Sequence, residues 1–72
     1  MKKVYLVVRI KDGFDFDQKN VCCFVEHEIA YVSNAFTVRK DAFRAFDYHK
    51  KYSNNIAILV YDKDGFITDL IH

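Results

Sequence analysis

Apolar and polar positions alternate from Val4 to Ile10, with Val4, Leu6, Val8 and Ile10 in one phase and Tyr5, Val7 and Arg9 in the other. A period of two is that of a strand, whose successive side chains point to opposite faces. A second run, Val21 to Val32, alternates in the same way: Val21, Cys23, Val25, Ile29 and Tyr31 against Cys22, Phe24, Glu26, Glu28 and Ala30. It predicts a second strand, joined to the first by the acidic connection DGFDFDQKN. The period then changes. In TVRKDAFRAFDYHKKYS, Val38, Ala42, Ala45, Phe46, His49 and Tyr52 fall at helical spacing, widened by Phe43, so a helix is predicted over 38–52. Thr37 is the expected N-cap. Asp41 in the first turn and Lys50 and Lys51 in the last suit the helix dipole, and Asn54 or Asn55 can supply a left-handed ending.

Two more strands, Ile56–Tyr61 and Phe66–Ile71, flank DKDG. Asp62 at the first position and Gly65 at the fourth fit a type I turn closed by a left-handed glycine, a three-residue hairpin loop with a bulge. That register predicts Ile56, Ile58, Val60, Phe66 and Leu70 on one face. The order β-β-α-β-β predicts an α+β fold: one domain, residues 1–72, with a four-stranded antiparallel sheet and one helix across one face.

KDGF occurs at residues 11–14 and again at 63–66. A calcium loop needs about five oxygen ligands within about twelve residues, ending in a bidentate Glu. Neither copy supplies that Glu, and the alternating strand directions place the two loops at opposite ends of the sheet. Two turns using the same residue chemistry account for both.

Other chemistry is sparse. Cys22 and Cys23 are adjacent, which disfavours a bridge between them, and are expected to be reduced packing residues. On a strand, Cys23 and His27 would stand ~13 Å apart, too far to share a metal ion. Ser33 and Ser53 lack the glycine-framed turn of a hydrolase nucleophile, and no glycine-rich phosphate loop is present. No enzymatic activity, metal or cofactor is expected. Lys+Arg 11 against Asp+Glu 10 gives a formal charge of +1, which removes both a strong phosphate-binding excess and wholesale acidic mimicry of DNA. The opening MKK resembles a signal peptide, but Arg9 interrupts after five apolar residues. No run approaches the ~20 apolar residues of a membrane helix. A cytosolic protein made in its mature form is expected.

An apolar share of 51% with seven Phe and five Tyr marks a globular rather than a disordered chain. Tyr5, Val7, Cys22, Phe24, Ala57, Leu59, Tyr61, Ile67 and Ile71 belong to the faces opposite the main series, and one helix covers only one side of a sheet. The surplus predicts a covered reverse face: a homodimer through Tyr5, Phe24, Leu59 and Tyr61, or another protein. The loop residues Asp12, Asp15 and Asp17, with exposed Phe14 or Phe16, are candidates for contact with a basic surface on a partner. A single-strand nucleic-acid binder is the competing expectation, with Tyr5, Phe24 and Tyr61 stacking bases near Lys3 and Arg9. Arg39, Lys40, Arg44, Lys50 and Lys51 would then meet phosphates.

With its opening MKKVYLVV, helix end AFRAFDYHKKY and closing hairpin NIAILVYDKDGFITDL, the chain resembles small bacteriophage accessory proteins. Anti-CRISPR proteins and other inhibitors of host defence are among these. The resemblance is one of size, order and texture. It implies a cofactor-free inhibitor that binds a host protein or ribonucleoprotein in the bacterial cytoplasm. A small RNA- or single-stranded-DNA-binding regulator is the alternative.

Overall fold

The first strand takes the middle of the sheet. In the computed structural model, which describes residues 2–72, β1 (Val4–Ile10) pairs antiparallel with β2 (Ile29–Phe36) on one side and β3 (Ile56–Tyr61) on the other. β4 (Ile67–Ile71) pairs antiparallel with β3, giving the order β2-β1-β3-β4. The expected α+β architecture is present, with α2 (Arg39–Lys50) packed across one face.

The second expected strand is corrected over half its length. Val21–Phe24 forms a single helical turn, α1, and Val25–Glu28 continues as a 3-10 turn, so the strand starts only at Ile29. Five consecutive apolar residues, Val21 to Val25, satisfy either period, and local pattern cannot choose between strand and helical turn. Tertiary demand decides. Residues 11–28 are folded over the reverse face, where Val25 is fully buried with Val8, Ile10, Ala57 and Leu59.

The sheet therefore has two cores. Beneath α2 lie Tyr5, Val7, Ile56, Ile58 and Val60 with the helical Ala42 and Phe46. On the other face, Val8, Ile10, Ala57, Leu59 and Val25 are joined by the partly buried Leu6, Phe14, Phe16, Ile29, Tyr61, Ile67 and Leu70. The face assignment is corrected accordingly. The β1–β3 register pairs Tyr5 with Val60 and Val7 with Ile58 on the helix side, and Leu6 with Leu59 on the reverse side. Leu70 faces Leu59 and so joins the reverse core, whereas Phe66 stands exposed in the turn. Alternation fixes the faces within one strand. Matching faces between distant strands depends on a register that no local turn sets.

Helix α2 departs from the expected cap. Val38 occupies the N-cap position in an extended conformation without a side-chain cap, its carbonyl accepting from the Ala42 N–H at 3.2 Å. At the other end, the amides of Tyr52 and Ser53 both donate to the His49 carbonyl at 3.0 Å. Asn55 then takes φ 62, a left-handed conformation that Asn adopts more readily than most residues. Its carbonyl accepts from the Ile10 N–H at 2.8 Å, tying the start of β3 to the end of β1.

The DKDG hairpin forms as the residues dictate. Gly65 has φ 84, the Asp62 N–H donates to the Phe66 carbonyl at 2.9 Å, and the Asp62 carboxylate accepts from the amides of Asp64 and Phe66. Gly13 in the first KDGF is also left-handed, with φ 88. There the Asp12 carboxylate instead accepts from Arg9 at 3.2 Å and from the Asn55 side chain at 2.9 Å. The first loop follows Ile10 beside Asn55, the second follows Tyr61 beside Val4, so they occupy opposite ends of the sheet.

Candidate binding surface

The acidic loop is held from within. Phe14 and Phe16 pack edge to face with centroids 5.1 Å apart, and Phe16 stacks on His72 at 4.4 Å. Both Phe rings belong to the reverse core, which corrects the expectation that one of them is exposed for a partner. Asp15 caps the loop by accepting from the Asp17 amide at 2.9 Å, and the Gln18 side chain donates to the Asp15 carbonyl at 2.8 Å. Asp12 braces Arg9 and Asn55, as above. All three aspartates are exposed, and among the described residues only the Asp17 carboxylate of the three takes no hydrogen bond or ion pair.

The four residues expected on one reverse face do not share a surface. Tyr5 lies in the core under α2, and Leu59 is 0% exposed in the opposite core. Phe24 is exposed on α1, whereas Tyr61 is half-buried against the reverse core, its hydroxyl donating to Glu26 Oε1 at 3.0 Å. The premise of a bare reverse face fails because residues 11–28 supply the missing layer.

Burial, the hydrogen bond to Glu26 and the charge of that carboxylate, in that order, push the Tyr61 hydroxyl up to about 12. Folding thus favours the protonated phenol. The corresponding stability is complete below the ordinary tyrosine range near ~10 and is lost as pH rises from there through about 12. Tyr61→Phe should therefore flatten the fall in stability over that window, measured as the difference between urea midpoints of the two proteins. An unchanged slope would show that the folded surroundings of Tyr61 do not raise its hydroxyl in solution.

Chemistry at the cysteines is muted. Cys22 and Cys23 are free and sit on α1 rather than on a strand, and His27 lies in the following 3-10 turn. Burial, then Asp69, then Cys23 raise the Cys22 thiol, away from a nucleophilic thiolate. Among the described residues, no group of three or more His, Cys, Asp or Glu side chains is gathered to hold a metal ion. No helix among them is long and apolar enough to cross a membrane.

A surface that sequence reasoning missed lies along α2 and β2. An open groove of about 450 Å³ is lined by Asn34 and Phe36 from the strand and by Asp41, Arg44, Ala45, Tyr48 and His49 from the helix. His49 Nε2 and Asn34 Oδ1, both in its lining, stand 3.2 Å apart. Tyr48 is 60% exposed, with its ring 5.3 Å from that of Tyr52. Two helix cations expected to reach phosphates are folded back: Arg39 lies 4.9 Å over the Phe43 ring and Lys50 5.0 Å over Phe46. Beyond the groove, β2 is an outer strand of the sheet, and Tyr31 and Val32 are exposed at its middle. The available signal was the uncharged run of residues 29–38 between Glu28 and Arg39.

Fold and surface together define a small α+β domain with two cores and a groove between its long helix and an outer strand. No family model, no curated protein and no solved structure matches the chain.

Proposed function

We propose that the protein is a non-enzymatic, protein-binding inhibitor or regulator. The resemblance to phage accessory proteins supports the finer reading that it is an anti-defence (anti-CRISPR-like) factor acting on a host protein or ribonucleoprotein in the bacterial cytoplasm. The observation that carries the reading is the α2–β2 groove, where Tyr48, Phe36 and Arg44 gather around an open concavity. Tyrosine and arginine are among the residues in which interface energy concentrates, and here they stand beside the apolar Phe36 and Ala45.

A second reading has its own observation. Tyr48 and Tyr52 present neighbouring rings at the end of the helix that carries Lys40 and Arg44, an arrangement able to stack unpaired bases of RNA or single-stranded DNA. Salt separates the two, since phosphate contacts weaken steeply with ionic strength. The tagged protein, recovered from a bacterial host, is expected to retain a stoichiometric protein partner at ~0.5 M salt. Tyr48→Ala should weaken that complex by about tenfold or more without altering the fold. Retention of nucleic acid alone, lost by ~0.5 M salt, would replace this reading with the second.

A further inference from the structure

We propose that β2 pairs antiparallel with β2 of a second copy about a two-fold axis near Val32 and Ser33, joining the two sheets into one. This inference is independent of the host target.

An outer strand presents a row of unpaired N–H and C=O groups, and proteins blunt such edges with charge, proline, shortness or cover. The two edges of this sheet are treated differently. β4 has five residues, carries Asp69 and lies against α1. β2 has eight residues, IAYVSNAF, with neither charge nor proline. The chain's two longest uncharged runs are residues 29–38 and 52–61. The second of these contains β3, an interior strand buried from Ile56 to Val60. The first contains β2. An edge strand therefore carries the composition of an interior one.

Its middle is also the most open apolar part. Val32 is 51% exposed and Tyr31 47%, and their registers with Val8 and Arg9 place them on opposite faces. A strand added at this edge would cover both. Bulges at the β1–β2 register shifts are the one protective device present, and they add twist rather than charge. A second copy brings the same twist.

Charge selects the second copy and its direction. Glu26 and Glu28 precede β2, and Arg39 and Lys40 follow it. Antiparallel pairing about a two-fold sets the acidic end of each strand beside the basic end of its partner. Parallel pairing would set like against like. Closed two-fold dimers bring the same patch together in this self-complementary way. The interface expected at Tyr5, Phe24, Leu59 and Tyr61 is thereby replaced by one at β2.

One strand pair and its flanking side chains form a contact at the small end of specific interfaces, so the dimer should dissociate on dilution. Sedimentation equilibrium of the full chain from roughly 1 μM to 1 mM should show the mass rising from 8.5 kDa towards twice that value. Val32→Lys places like charges close to the axis and should raise the dissociation constant about tenfold or more. Phe66→Lys, in the exposed turn between β3 and β4, should leave it unchanged. In the unaltered protein, amide exchange in residues 29–36 should slow with concentration while that in residues 67–71 does not. This measurement decides the matter should Val32→Lys fail to fold. A mass of 8.5 kDa throughout, a dimer indifferent to Val32→Lys, or concentration-dependent protection confined to β4 would each overturn the inference.

Discussion

Leu59→Ala should destabilise the protein as much as Ile58→Ala, by about 2–5 kcal/mol each. The two residues are neighbours on β3, both 0% exposed, and they point into different cores. With only one covered face, one of the two would have been a surface residue and its truncation nearly silent, within about 0.5 kcal/mol. For 72 residues the whole stability is about 4–11 kcal/mol, so either substitution removes a large part of it. Urea unfolding followed by circular dichroism reads both values. A small effect at Leu59 with a large one at Ile58 would mean that residues 11–28 do not cover the reverse face in solution.

Val25→Asp should go further and abolish cooperative folding at 25 °C. Val25 is the fully buried anchor of the covering segment, seated among Val8, Ile10, Ala57 and Leu59. No buried polar or charged residue accompanies that cluster. A carboxylate placed there loses hydration without gaining a partner, a penalty of several kcal/mol. Cys23→Asp, at an exposed position of the preceding turn α1, should change stability by less than about 0.5 kcal/mol. Amide exchange and binding of a hydrophobic dye distinguish a detached segment from a lost fold. Equal tolerance of the two aspartates would contradict the packing of α1 and the 3-10 turn.

What could be read from the residues was whatever local chemistry settles. The stripe from Ala42 to Phe46 specifies α2 because helical spacing is intrinsic to the segment. Asp62 and Gly65 specify their hairpin because each bond of that turn is made within it. Asn55 takes the left-handed conformation that Asn tolerates, but four residues past the Lys51 cap of α2, where its partners are the distant Ile10 and Asp12. Residues 21–28 were not legible, since an unbroken apolar run accepts two periods and only the opposing face of the sheet selects one. Phe14 and Phe16 were misread as solvent-facing because three aspartates surround them. Yet the two rings pack against each other and onto the reverse core, leaving the aspartates exposed around them. The match of Tyr5 to Val60, rather than to Leu59, comes from pairing strands some fifty residues apart. The groove joins α2 to β2 across the sheet edge, and no spacing within either element announces it.

The central place of β1 has a consequence for the order in which the chain can fold. β1 is the earliest strand in the chain, but its neighbour β3 is completed only at Tyr61. A nascent chain that ends before β3 can at most pair β1 with β2, leaving one edge of β1 unpaired and both cores without Ile58 and Leu59. The local pieces, α2 and the β3–β4 hairpin, come late, and long-range closure must follow them. Synthesis therefore delivers the centre of this sheet first and the means of burying it last.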